Sequence, residues 1–166
     1  LVAGRLAIEK GEMDAAREIS RDVTNIGENY VKTRGVAEAN GERSHWLRGF
    51  KAFEVMVSEF RGLLTMAMPP GERGGAFNWY RSAADRQERA TLMMPPAVLL
   101  PMECRLAEHY ADSKENGKAI EVLREGLEEH PADFELLTRL LAACEREGLE
   151  DEAAEIRQRI EQLGEE

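Results

Sequence analysis

Apolar residues recur every three or four positions along almost the whole chain, with polar residues between them. This spacing is typical of amphipathic α-helices, and no segment alternates like a half-exposed strand. The pattern and its breaks predict eight helices, over residues 1–10, 13–32, 43–68, 76–94, 98–113, 117–129, 133–147 and 150–163. Because the breaks are short, consecutive helices are expected to lie antiparallel as hairpins. The predicted fold class is all-α.

The third predicted helix carries the longest apolar stripe. The stripe keeps a spacing of four and three residues over five turns, through Trp46, Phe50, Phe53, Val57, Phe60 and Leu64. A helix of about 26 residues spans roughly 39 Å at 1.5 Å per residue. We therefore expect a protruding central hairpin with elongated helices, tipped by residues 69–75.

Three of the predicted turns are related in sequence. Each places a turn just before a small alanine of the next helix, in segments 11–16, 116–120 and 148–154. Ala119 and Ala153 are 34 residues apart, and Pro131 follows Ala119 by 12 residues, where the second helix of a hairpin should end. An internal repeat of this length, closed by a proline, indicates a helical repeat architecture.

These features resemble the tetratricopeptide repeat, a helix–turn–helix unit of this length. The resemblance is best in the last two repeats and looser in the second, and it rests on Gly4, Gly11, Ala16, Trp46, Phe50, Phe53, Ala76, Tyr80, Ala83, Leu106, Ala107, Tyr110, Ala119, Leu123, Gly126, Pro131, Leu137, Leu140, Gly148, Ala153 and Ile160. It implies a short right-handed α-solenoid that forms one domain over residues 1–166. The repeats would be 1–33, 43–94 (elongated), 98–131 and 133–163.

The resemblance also implies a concave groove lined by the first helix of each repeat, where such proteins hold a peptide or a partner helix. Basic residues at the inward positions favour an acidic peptide or a chain-terminal carboxylate. Alternatively, these residues pair with Glu54, Glu108 and Glu145 across adjacent helices. Phe77 and Trp79, after the central loop, are a possible second interface. The predicted groove residues are Arg5, Arg48, Lys51, Arg105 and Arg139.

Charge and candidate chemistry narrow the function further. The net charge is −10, and residues 108–166 hold 18 acidic against 7 basic side chains, which argues against binding nucleic acid. His45, His109 and His130 lack the spacing of a helical metal site. Cys104 and Cys144 are interpreted as free buried thiols in a reducing compartment. We expect no catalytic, cofactor or metal site and no membrane span.

The sequence therefore predicts a non-enzymatic scaffold that binds a protein or peptide partner. The alternative is a regulatory or oligomerising segment of a larger enzyme or sensor. Because the chain begins with Leu1 inside an apolar helical pattern, we expect a fragment of a longer protein. We also expect a cytoplasmic location. The last helix carries an apolar stripe, Ala153, Ile156, Ile160 and Leu163, that would be exposed and would allow self-association.

Overall fold

The computed structural model describes residues 1–87 and 100–164, and every regular element in these two ranges is helical. The all-α class is confirmed. The chain divides into two compact units, residues 1–87 and 88–166, and each is described by itself. A single domain over residues 1–166 remains a prediction. Within the described ranges no helix combines the length and apolar character needed to cross a membrane.

The first unit is organised around one long helix. Its elements are α1 (Val2–Glu9), α2 (Met13–Lys32), α3 (Arg34–Ala39), α4 (Arg43–Met66), a 3-10 helix (Pro70–Gly75) and α5 (Ala76–Ala84). Helix α4 contacts all the other helices of the unit, and α1 and α2 also pack against each other. The long central helix is therefore the core of this unit and does not protrude from it, contrary to our expectation.

Two glycines allow the helices of the first unit to cross closely. A Cβ atom at Gly4 of α1 would lie 2.5 Å from the Phe60 ring of α4, and one at Gly62 of α4 would overlap the Tyr80 ring of α5. Both rings are buried. In each case a buried aromatic ring of one helix packs directly against a glycine of the other, which lets the two helices approach closely.

The second unit, over its described residues 100–164, is a stack of four helices. It contains α6 (Glu103–Asp112), α7 (Asn116–Glu129), α8 (Phe134–Glu147) and α9 (Glu150–Gly164). Each helix packs against the next along the chain, and α6 also contacts α8. The core includes Leu123, Leu136, Leu137, Leu140 and Ile156, together with both cysteines. Asp133 caps α8 by accepting a 3.0 Å hydrogen bond from the Leu136 backbone N–H.

Four helices end in the same type of turn. After α1, α3, α6 and α8 the chain reaches a residue with positive φ: Gly11, Gly41, Lys114 and Gly148. In each case the next N–H donates to the carbonyl oxygen five residues earlier, as in Glu12 to Ala7 (2.8 Å) and Glu42 to Ala37 (2.7 Å). This is the Schellman motif, which satisfies the carbonyl groups at a helix end.

Several predicted boundaries are wrong. Helix α3 was not predicted, and residues 70–75 form a 3-10 helix where we expected a loop. The helix predicted over 76–94 ends at Ala84, and the Arg86 guanidinium donates to the Ser82 carbonyl oxygen beside this end. The helix predicted from residue 98 begins at Glu103, since Pro101 interrupts a helix. Residues 88–94 and 98–99 of these two predictions lie outside the described residues.

The prediction that the apolar stripe of α9 is exposed is also wrong. Ala153 and Ile156 are buried against the core, Ile160 packs on it, and only Leu163 is exposed. The outward positions are mostly polar, including Glu155, Arg157, Gln158, Arg159 and Glu161. Most of the stripe therefore packs within the second unit and is not the exposed surface that we expected.

Candidate functional site

Helices α6, α7 and α8 of the second unit line an open groove of about 260 Å³, which we call the α6–α8 groove. Helices α6 and α8 each contribute two alanines to its lining, Ala107 and Ala111 from α6 and Ala142 and Ala143 from α8. Ala119 and Leu123 of α7 also line it. Because alanine side chains are short, they leave room between the two helices for a side chain of a ligand.

The two walls of the groove carry opposite charges. Helix α6 contributes Glu108 and Asp112, and α8 contributes Arg139 and Arg146. A ligand that lies along the groove would therefore meet carboxylates on one side and guanidinium groups on the other. Such an arrangement favours a ligand with defined polarity over a uniformly charged one.

Most of the charge near the middle of the groove is neutralised internally. The Glu108 carboxylate accepts hydrogen bonds from Arg139 at 2.6 Å and from Arg105 at 2.9 Å. Arg139 also pairs with Glu135 at 2.7 Å. Burial would by itself lower the pKa of Arg139, but the carboxylates of Glu108 and Glu135 outweigh it and raise that pKa above its ordinary value. These arginines are held as structural partners of acidic residues.

Arg105 and Arg139 both contact Glu108, one of the acidic partners that the alternative interpretation named. Their role in a peptide groove stays a prediction. The other two acidic residues of that alternative pair with different arginines. Glu54 lies 3.7 Å from Arg86, and Glu145 lies 2.7 Å from Arg157.

Arg146 is the groove cation that the sequence analysis missed. It is exposed, and its Nε donates to the Ala142 carbonyl oxygen at 3.1 Å. Across the described ranges no carboxylate forms an ion pair with it. It follows Arg139 by seven residues, which is two helical turns, so this spacing would have placed both on one face of α8. Its terminal N–H groups are the ones available to an anionic ligand.

The other three predicted groove residues belong to the first unit. Arg5 of α1 makes an ion pair with Glu59 of α4, whose side chain is only 2% exposed. A charged side chain at this depth needs such a partner, so Arg5 has a structural role. Arg48 is partly buried and Lys51 is exposed, both on α4.

Phe77 and Trp79, the predicted second interface, are both partly buried on α5. The Arg61 guanidinium lies 5.0 Å from the centroid of the Trp79 ring, within cation–π range. Trp79 also lines a cavity of about 310 Å³ among α2, α4 and α5, together with Phe53 and Val57. Its ring is therefore packed within the first unit.

Burial shifts the pKa values of both cysteines and of His109 in the second unit. Burial raises the pKa of the Cys104 thiol to about 12, and it also raises the pKa of Cys144, so both thiols stay protonated. Burial lowers the pKa of His109, against the opposing effects of Asp112 and Glu115. In the parts of the chain that the structure describes, no three metal-ligating side chains come together.

Comparisons with known proteins leave the family open. No protein-family model matches the chain, and neither the curated proteins nor the solved structures contain a significant match.

Proposed function

We propose that this chain is a non-enzymatic scaffold of the tetratricopeptide type, and that its α6–α8 groove binds an extended peptide segment of a partner protein. The observation that carries the proposal is the groove itself. It has an alanine-rich surface, walls of opposite charge and one arginine, Arg146, with terminal N–H groups available to a ligand.

The packing order of the helices supports the solenoid part of the proposal. In the second unit α6 packs on α7, α7 on α8, α8 on α9, and the first helices of the two hairpins, α6 and α8, contact each other. In the first unit α1, α2, α4 and α5 follow the same order. Contact between successive hairpins through their first helices is the arrangement that helical repeats use.

The groove favours a ligand of specific chemistry. A small apolar side chain would occupy the space above Ala107, Ala111 and Ala142, and an adjacent Asp or Glu would pair with Arg146. Carboxylate and guanidinium groups match in geometry, so this pair would fix the direction of the peptide. We expect an affinity on the order of micromolar, about −8 kcal/mol.

A library of random peptides displayed on phage and selected on the full chain would test the proposal. We expect the selected peptides to share an acidic residue next to a small apolar one. Their affinities would then be measured by calorimetry against wild type and Arg146→Glu. The charge reversal should weaken binding about tenfold or more, equivalent to about 1.4 kcal/mol.

Arg21→Glu is the matched control, because it makes the same change in net charge at an exposed position of α2, outside the unit that carries the groove. It should bind the selected peptides like wild type. Equal weakening by both variants would mean that binding responds only to net charge, and the groove would not be the site. Failure of the library to yield any binder would contradict the proposal as a whole.

A further inference from the structure

The sequence contains two Asn-Gly pairs, and the structure places them in very different surroundings. Asn40 and Gly41 form the turn between α3 and α4, whereas Asn116 and Gly117 begin α7. In an Asn-Gly pair the glycine has no side chain to hinder attack of its backbone nitrogen on the preceding amide carbon. The backbone must leave its helical geometry for this attack to occur, so the local structure controls the rate.

The Asn40–Gly41 turn is open to this reaction. Both residues are exposed, and a Cβ atom built on Gly41 would meet no atom within 4 Å. The Gly41 N–H donates to the Glu38 carbonyl oxygen at 3.2 Å, one of the longest backbone bonds among the turns. Of the four turns with positive φ described above, this is the one in which asparagine precedes that residue.

The Asn116–Gly117 pair is held more firmly. The Asn116 side-chain amide donates to the Glu147 carboxylate at 2.7 Å, which ties the start of α7 to the end of α8. Asn116 is partly buried, and both residues lie in the first turn of a helix. Attack by the Gly117 nitrogen would require the hydrogen bond between Asn116 and Glu147 to break and the first turn of α7 to unfold at the same time.

We infer that Asn40 is a site of spontaneous deamidation, and that the reaction loosens the start of α4. The Gly41 backbone nitrogen forms a bond to Cγ of Asn40, the bond from Cγ to Nδ2 breaks, and ammonia leaves with the proton from the backbone nitrogen. Water then opens the cyclic imide at either carbonyl, which yields aspartate or isoaspartate.

Both products disturb the turn. A carboxylate at the end of α3 lies at the negative end of the helix dipole and in a segment that already contains Glu38 and Glu42. Isoaspartate also adds a methylene group to the backbone between Ala37 and Glu42, whose 2.7 Å hydrogen bond closes the turn. Trp46 lies in the first turn of the helix that follows, so its packing depends on this geometry.

Incubation of the full chain at mildly alkaline pH, followed by peptide mapping with mass spectrometry, tests the inference. We expect the peptide containing Asn40 to gain one dalton and split into aspartate and isoaspartate forms several-fold faster than the peptide containing Asn116. In concentrated urea the two rates should converge, because only the folded structure distinguishes the two pairs.

Asn40→Gln is the control variant, since the longer side chain forms the cyclic imide far more slowly. It should suppress the mass gain at residue 40 and leave the Asn116 peptide unchanged. Equal rates at the two pairs in the folded chain, or no reaction at Asn40, would overturn the inference. Unchanged tryptophan fluorescence in the fully deamidated chain, measured in a Trp79→Phe background so that only Trp46 emits, would overturn its structural consequence.

Discussion

Tyr30 and Trp46 hold each other in place through reciprocal contacts between side chain and backbone. The indole N–H of Trp46 donates to the Tyr30 carbonyl oxygen at 3.3 Å, and the Tyr30 hydroxyl donates to the Trp46 carbonyl oxygen at 3.4 Å. The indole N–H also donates to the Thr33 hydroxyl oxygen at 3.0 Å, and the centroids of the Tyr30 and Trp46 rings are 5.4 Å apart. This pair joins the end of α2 to the start of α4.

Trp46→Phe should destabilise the chain by about 1–3 kcal/mol, because it removes the buried indole donor and part of the ring packing. Tyr30→Phe should cost less than about 1 kcal/mol, since it removes only a long hydrogen bond. Urea unfolding of the two variants measures the difference. A Trp46→Phe variant as stable as wild type would show that the contacts contribute no net stability.

Ala119→Leu tests the register of the internal repeat. Ala119 is 2% exposed and lies at the start of α7, five residues beyond the turn at Lys114. A leucine would overpack this position and should cost about 1–3 kcal/mol. Ala154→Leu, at an exposed position of α9, is the control and should be close to neutral in the same denaturant titration. Equal losses of stability in the two variants would mean that burial of Ala119 does not determine the cost of the substitution.

The sequence pattern predicted the second unit better than the first, for a physical reason. In α7–α9 the helical period of the apolar residues continues to both ends of each helix and Gly148 marks one end, so the predicted bounds agree with the structure to within one residue. Helix α3 has six residues and too few apolar positions for a period to emerge. The Asn40-Gly41 pair nevertheless marks the end of α3. An alanine also lies four residues before Gly41, as Ala7 lies before Gly11, and this shared spacing indicates that the two turns are of the same type.

The candidate site was predictable only in part. Spacing from the family resemblance led to Arg105 and Arg139, both near the groove. Whether an arginine already forms an ion pair within the protein depends on the side chains of the helix packed against it, and a single sequence does not show which side chains these are. Glu108 contacts both arginines, whereas Arg146, two helical turns after Arg139 on the same face of α8, forms no ion pair with a carboxylate of the described residues.

Gly62→Ala tests the close crossing of α4 and α5. A methyl group at this position would collide with the buried Tyr80 ring, and we expect a loss of about 1–3 kcal/mol. Gly117→Ala makes the same change at a helical position with open space around it. It should stabilise the chain by about 0.5–1 kcal/mol, because alanine favours the helix over glycine. Thermal unfolding gives both values, and a shift of the same sign in the two variants would contradict the crossing argument.

The ion pair between Arg124 and Glu152 should make stability depend on pH. Glu152 accepts hydrogen bonds from Arg124 at 2.9 and 2.5 Å, and this contact lowers the pKa of its carboxyl below the ordinary 4.5. A carboxylate whose pKa is lower in the folded state stabilises the fold above the unfolded pKa, and this contribution is lost as the pH falls through the folded pKa. Both side chains are partly exposed, so it amounts to about 1 kcal/mol at most.

Urea titrations of wild type and Glu152→Gln, from neutral pH to about pH 3, measure this contribution. Glu152→Gln should be the less stable protein at neutral pH, and the difference should shrink below the ordinary pKa of glutamate as wild-type Glu152 becomes protonated. Glu155→Gln, at an exposed position of the same helix, should show little difference at any pH. A gap between wild type and Glu152→Gln that stays constant into acid would mean that glutamine disturbs packing, and that the charge of Glu152 is not what stabilises the contact between α7 and α9.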